Sequence, residues 1–324
     1  MAKFTLSPQI TSNPSSQIII GTRGSRLALA QSQGVLQELS GLFPEAKFEL
    51  KVIKTRGDMM IGKPLSKIGG KGLFVKEIEQ AMLRGEIDLA VHSLKDLPTE
   101  MPKKLTLGAI TKREDPRDVL VTSHQSLVTR VKKIGTSSLR RKAQLLAKWP
   151  EIEVVDLRGN LDTRIRKLRE GIVDAIVVAA AGLKRLKLEI GNWTVPAGRQ
   201  ELEIRSLGWM LPAPGQGALV IECRKDDSET LSMLKRLNHR PTELAVTAER
   251  ALLYHLGGGC LVPIGAYARV KKDKLELEGL VAGLDGREVV RTRLIGDKSH
   301  PQELGSRVAE KLKKLGAMRL LMIS

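Results

Sequence analysis

The strongest constraint on this chain is an internal repeat. The pattern Gly-Thr-x-x-x-Arg occurs at residues 21–26 and again at 135–140. Ile18-Ile19-Ile20 leads into the first copy, and a helical pattern follows it (Leu27, Leu29, Ala30, Val35, Leu36). A strand, a glycine turn and a helix with Ser25 near its start make one half of an α/β unit. Backbone N–H groups at such a helix start attract anions. A second echo follows each copy: Gly85-Glu86-Ile87-Asp88-Leu89-Ala90-Val91 matches Gly171-Ile172-Val173-Asp174-Ala175-Ile176-Val177. Each is preceded by an amphipathic pattern, Leu73, Phe74, Ile78, Ala81 and Met82 in one case and Leu161, Ile165 and Leu168 in the other. Repetition on this scale predicts two related lobes, each an open α/β sheet.

The copies differ in spacing. Gly21 to Asp88 spans 67 positions and Gly135 to Asp174 spans 39, so the first lobe has 28 residues more. Part of the surplus is Lys54 to Gly72, with five glycines among charged residues, a mobile flap or a plain surface loop. Arg113-Glu114-Asp115-Pro116-Arg117-Asp118 is a polar hinge candidate between lobes, and Leu211 to Ala218 is a second crossing. Two crossings return the chain to the first lobe. The expected division is a disordered leader (1–17), lobe 1 (18–114 and 212–238, with flap 54–72), lobe 2 (115–211) and a small C-terminal α+β domain (239–324). In that tail a helix from Glu243 to Leu256 ends at three glycines, alternation marks a strand at 275–281, Asp285-Gly286 reads as a hairpin turn, and a last helix spans Gln302 to Leu315.

Composition narrows the partners. Fifty-four Lys and Arg against 36 Asp and Glu leave +18. Such an excess favours nucleic acid, anionic lipid or a small molecule with several carboxylates or phosphates. Aromatic residues are only 3%, too few for a base-stacking platform. No run approaches the ~20 apolar residues of a membrane helix; the longest, Ile172 to Ala181, has the length of a buried strand. Met1 to Gln17 is polar and holds two prolines, unlike a secretory signal. Two cysteines, Cys223 and Cys260, fit a reducing, cytoplasmic compartment. No His or Cys pair has metal-ligand spacing, so no metal is expected.

Chemistry concentrates in three places. Val91-His92-Ser93-Leu94-Lys95-Asp96-Leu97-Pro98 lies where a buried strand ends, and ligands of open α/β sheets sit beyond the carboxyl ends of strands. Lys95 and Asp96 are then a pair facing a cleft, or else an ordinary exposed pair. Residues 130–170 hold 12 Lys and Arg against 5 Asp and Glu. Arg140 and Arg141 stand at a helix start, where the dipole opposes them unless an anion also binds. Arg158 and Arg164 flank Gly159-Asn160, and guanidinium forks suit carboxylate and phosphate equally. Cys260 follows three glycines, which expose the sulfur if the loop is open; Cys223 reads as strand packing. No phosphate-loop or nucleophile-elbow motif is present.

Taken together, these motifs resemble the hydroxymethylbilane synthase (porphobilinogen deaminase) family. The resemblance runs from Ile18 to about Tyr267. It is carried by Gly21–Ser25, Lys67–Phe74, His92–Pro98, Gly135–Arg141, Arg158–Arg164, Pro214–Ala218 and Gly258–Gly265, in that order. It implies type II periplasmic-binding-protein-like lobes and a transferase of porphyrin and tetrapyrrole biosynthesis. The implied reaction joins four porphobilinogen units head to tail, loses ammonia at each step and gives hydroxymethylbilane. It also implies a dipyrromethane cofactor attached covalently through Cys260. By the same resemblance Asp96 is catalytic, stabilising the cationic azafulvene. Ser93, Lys95, Thr136, Ser138, Arg140, Arg141, Arg164, Arg185 and Gln216 line the cofactor. Arg23, Ser25, Arg158, Lys67 and Lys71 bind substrate. The expected partner is porphobilinogen alone, with neither nucleic acid nor membrane, and the enzyme is expected to be a cytoplasmic monomer. The competing reading is a non-enzymatic two-lobed polyanion-binding protein, which needs neither Cys260 nor Asp96.

Overall fold

The computed structural model describes residues 17–59, 72, 74–122, 131–188, 202–258 and 262–322. The expected leader, apart from Gln17, and the flap between residues 60 and 71 lie outside the described residues.

The chain opens with β1 (Gln17–Thr22), α1 (Arg26–Leu42), β2 (Lys47–Val52), a short α2 (Arg56–Met59), α3 (Lys76–Leu83), β3 (Leu89–Ser93) and β4 (Leu105–Ile110). It then supplies β5 (Asp118–Thr122), β6 (Lys133–Gly135), α4 (Leu139–Lys148), β7 (Glu153–Val155), α5 (Leu161–Arg169), β8 (Ala175–Ala179), α6 (Ala180–Arg185) and β9 (Glu203–Ser206). Next come β10 (Leu219–Arg224), α7 (Ser228–Leu234) and α8 (Arg240–His255). The tail adds β11 (Ile264–Lys271), β12 (Lys274–Ala282), β13 (Val289–Asp297), α9 (Pro301–Lys314) and α10 (Ala317–Met322). The sheet orders are β2-β1-β3-β10-β4, β7-β6-β8-β5-β9 and β11-β12-β13. In each five-stranded sheet the first three strands are parallel and the next is antiparallel to its neighbours. Two lobes of one topology and a small antiparallel sheet with helices form the α/β architecture.

The repeated sequence builds the repeated structure. Gly85 and Gly171 end α3 and α5 at φ values of 74° and 72°. Beyond them Glu86 N–H reaches Ala81 O (2.9 Å) and Ile172 N–H reaches Lys167 O (3.2 Å), a left-handed helix stop that glycine makes without steric cost. Three residues after each glycine an aspartate pins the neighbouring strand. Asp88 accepts from Ile19 N–H (2.8 Å), and Asp174 accepts from Lys132 and Lys133 N–H (2.9 and 2.8 Å). The two copies of Gly-x-x-Asp are therefore structural. Ser25 and Ser138 cap α1 and α4, accepting from Ala28 and Arg141 N–H.

Three differences from the sequence reading have local causes. The helix expected from Leu73 starts at Lys76, because the chain turns through Gly72, whose carbonyl accepts from both Val75 and Lys76 N–H. The apolar run Ile172 to Ala181 is not one strand: it contributes a loop, β8 and the first turn of α6. Asp118 is not part of an open polar hinge; it begins β5 and is fully buried.

The chain passes between the five-stranded sheets twice, after β4 and before β10. The two passages touch. Gly217 has φ +91°, and a Cβ there would stand 2.3 Å from Glu114 O. Glu249 on α8 is fully buried and binds both passages and the tail. It accepts from Arg113 Nη1 and Nη2 (2.6 and 3.1 Å), Gly215 N–H (2.6 Å) and Ala268 N–H on β11 (2.7 Å).

Candidate active site

β3 runs into a single 3-10 turn, Leu94–Asp96, at its carboxyl end. Leu94 N–H donates to Ala218 O (3.1 Å), extending the β3–β10 ladder up to the turn. Lys95 is half-buried and Asp96 is exposed. Burial pushes the Lys95 ammonium down to about 8, working against Asp96 and Asp118, which raise it; Arg141 and Arg140 lower it further. Arg140, Arg141 and Asp118 belong to the second lobe, so Lys95 faces across to them.

The start of α4 is the opposite wall. Arg140 Nη1 donates to Asp118 Oδ2 and to Leu211 O, both at 2.7 Å. Arg141 donates to Asp118 Oδ1 through Nε (3.1 Å) and Nη2 (2.7 Å), and to Val177 O through Nη1 (2.9 Å). Gln216, from the second passage, donates to Asp118 Oδ1 (3.0 Å) and Pro116 O (2.7 Å). Burial alone would raise the Asp118 carboxyl, but the two guanidiniums and the hydrogen bonds from Arg140 and Gln216 hold it well below the usual carboxylate range. The anion that the helix-start arginines require is thus supplied by the protein. Asp118 was missed in sequence. The available signal was an acid at the head of Val119-Leu120-Val121, an otherwise apolar strand.

Arg164 on α5 joins this group. Burial and Arg141 lower its guanidinium to about 10, while Asp156 and Asp96 raise it, which links the Asp96 charge to the second lobe. Arg164 Nε donates to Gly159 O (2.9 Å). Arg185 donates to Gly217 O (2.7 Å) and is lowered to about 10 by burial, with Glu114 opposing. Thr136 Oγ1 accepts from Ser138 N–H (3.2 Å), fixing the turn ahead of α4. On the first lobe, Gln31 Nε2 donates to Ser93 Oγ (3.0 Å), a further contact not read from sequence. The structure therefore links Lys95, Asp96, Arg140, Arg141, Arg164 and Gln216 through Asp118 and their mutual electrostatics, whereas Ser93, Thr136, Ser138 and Arg185 make the separate contacts just given. Arg26 on α1 and Asp162 on α5 form an ion pair between the lobes at 2.7 Å.

The remaining predicted residues are placed differently. The Arg23 guanidinium is held by Asp58 (2.5 Å) and lies over the Phe74 ring, 4.2 Å from its centroid. Ser25 caps α1. Arg158 pairs with Asp156 at 2.7 Å. Lys67, Lys71 and Cys260 lie outside the described residues. Cys223 is fully buried, and burial pushes its thiol up to about 12, the environment of an inert packing residue.

The donor set fits a dipyrromethane. Such a group carries both carboxylates and pyrrole N–H, and the cluster offers cations for the former. It also contains a buried donor, Arg140 Nε, and a buried acceptor, Gln216 Oε1, that have no hydrogen-bond partner among the described residues.

Fold and site together define a two-lobed α/β protein in which Arg140, Arg141 and Arg164 of one lobe stand near Lys95 and Asp96 of the other. Residues 18–232 match the family model described as porphobilinogen deaminase, dipyromethane cofactor binding domain, and residues 243–314 match the porphobilinogen deaminase C-terminal domain. The chain is 48% identical over 309 residues to the porphobilinogen deaminase of Desulforudis audaxviator (strain MP104C), covering 94% of this chain and 97% of that one. It is 49% identical over 302 residues to that of Brevibacillus brevis, covering 92% and 94%, and 46% identical over 319 residues to that of Synechococcus elongatus, covering 96% and 97%. The chain belongs to the porphobilinogen deaminase family. Its activity is the family's transferase reaction, the condensation of four porphobilinogen molecules to hydroxymethylbilane with loss of ammonia, using a dipyrromethane cofactor. The binding-only alternative is not favoured.

Proposed function

We propose that Asp96 is the catalytic carboxylate of this reaction and that Cys260 carries the dipyrromethane. The observation supporting the first assignment is the position of Asp96: exposed at the end of β3, beside Lys95 of its own lobe and within the field of Arg164 of the other. When bound, the dipyrromethane supplies the pyrrole terminus on which the product chain grows. The Asp96 oxygens accept a pyrrole N–H and stabilise the positive charge that develops on the substrate as its C–N bond breaks. A carboxylate held at a fixed position beside the breaking bond is well suited to this. Lys95, Arg140, Arg141 and Arg164, with Ser93, Thr136, Ser138, Arg185 and Gln216, hold the acetate and propionate groups and orient the rings. Asp118 keeps the two α4 guanidiniums in place. Arg23, Ser25, Arg158, Lys67 and Lys71 receive the incoming porphobilinogen. In this reading the enzyme is a cytoplasmic monomer acting on a small molecule, with residues 18–114 and 212–238 as one lobe, 115–211 as the other and 239–324 as the tail. Among the described residues no helix is long and apolar enough to cross a membrane.

The test is Asp96→Ala, with the cofactor-carrying fraction counted by intact mass and single-turnover rates taken per loaded molecule. A loss of about a hundredfold or more is expected, the scale on which removing one such electrostatic group acts. Near-wild-type turnover removes Asp96 from the mechanism.

A further inference from the structure

The reaction does not account for His92. Its side chain is buried, with the ring Nε2 3.1 Å from Glu222 Oε2; the two side chains are 6% and 0% exposed. The register places His92 opposite Val220 and Glu222 opposite Ala90, so the contact runs diagonally between β3 and β10. Both Glu222 oxygens and His92 Nε2 are buried without a hydrogen bond of good geometry among the described residues, and each side chain has the other at ion-pair distance. Glu79 on α3 adds a second acid nearby. Burial and the Glu222 charge raise the Glu79 carboxyl, and His92 lowers it. The cluster therefore has two carboxyl groups and one imidazole, contributed by α3, β3 and β10.

The location gives this contact its meaning. His92 is the last buried polar side chain of β3 before Ser93 and the Leu94–Asp96 turn. Glu222 lies on the strand that emerges from the passage carrying Gln216. The contact adds a side-chain tie to the β3–β10 ladder, two residues before the Leu94–Asp96 turn begins. We infer that His92, held by Glu222, is a positioning residue for Asp96 in the condensation reaction. The inference rests on the assignment of Asp96 above.

The experiment compares His92→Leu, His92→Gln, the double variant His92→Leu/Glu222→Leu and Asp96→Asn, each as full chain, with turnover counted per dipyrrole-carrying molecule and thermal midpoints measured in parallel. His92→Leu is expected to lose about tenfold to a hundredfold in kcat with KM nearly unchanged, the cost of a small misplacement at a reacting centre. His92→Gln keeps a donor toward Glu222 and should recover most of that loss. The double variant removes the buried unpaired carboxylate, so its thermal midpoint should return toward wild type while kcat stays low. If kcat instead returns with the midpoint, or His92→Leu turns over normally while Asp96→Asn is inactive, His92 has no positioning role. Normal turnover by Asp96→Asn would overturn the assignment on which the inference stands.

Discussion

Lys95 shows how one side chain couples burial to function. An ammonium near two carboxylates and two guanidiniums would be balanced in water, but here burial dominates and lowers it to about 8. The folded protein therefore disfavours the charged form relative to the unfolded chain; the penalty is full below about pH 8 and fades as the pH rises from there toward the ordinary lysine value of 10.5. Function has the opposite sign, because a carboxylate is held only by the protonated amine. The alkaline limb of kcat/KM for porphobilinogen should begin near pH 8, and Lys95→Arg, always protonated, should abolish it over that range. An identical limb in Lys95→Arg would separate the titration from Lys95. Asp118 behaves conversely. Its carboxyl is held low, so its stabilisation is present above the ordinary carboxylate range and is lost only in strong acid. Asp118→Ala leaves Arg140 and Arg141 buried and unpaired and should cost about 3–5 kcal/mol in denaturant unfolding. A cost below about 1 kcal/mol would mean the arginines find other partners.

At the scale of elements, much of the molecule was legible because the same physics was written twice. A glycine stop, an aspartate three residues later and a short apolar run fixed α3–β3 and α5–β8 alike. Ser25 marked the cap of α1, and the structure gives Ser138 the same part at α4. What could not be read were contacts made across the chain. Asp118 resembles any solvated hinge acid until Arg140, Arg141 and Gln216 close on it from 22, 23 and 98 residues away. Glu249 sits on the apolar stripe of α8 beside Ala245, Ala248 and Leu252, and that misfit was the available sign of a buried partner. The run Ile172 to Ala181 was ambiguous because apolar residues serve a buried strand and a buried helix equally. The second passage offers an element-scale prediction. Gly217→Ala places a side chain at φ +91°, against Glu114 O. The left-handed conformation alone should cost about 1–2 kcal/mol, read as a lower urea midpoint; an unchanged midpoint would mean the passages do not need their close contact.

For the molecule as a whole, the two passages and the tail meet at Glu249. Glu249→Ala removes the acceptor shared by Arg113, Gly215 and Ala268. It should lower stability by about 3–5 kcal/mol and split unfolding into separate transitions for lobes and tail. One cooperative transition at the wild-type midpoint would show that apolar packing alone joins them. In the proposed reading the lobes bring cations to a shared cleft and Cys260, in the tail sequence, anchors the growing product. The most direct test of that arrangement is the intact mass of the purified chain and its two cysteine variants. Wild type and Cys223→Ser should each be heavier than their sequences by a covalent dipyrrole, and Cys260→Ser should have its bare sequence mass. A dipyrrole retained by Cys260→Ser, or lost from Cys223→Ser, would contradict the account.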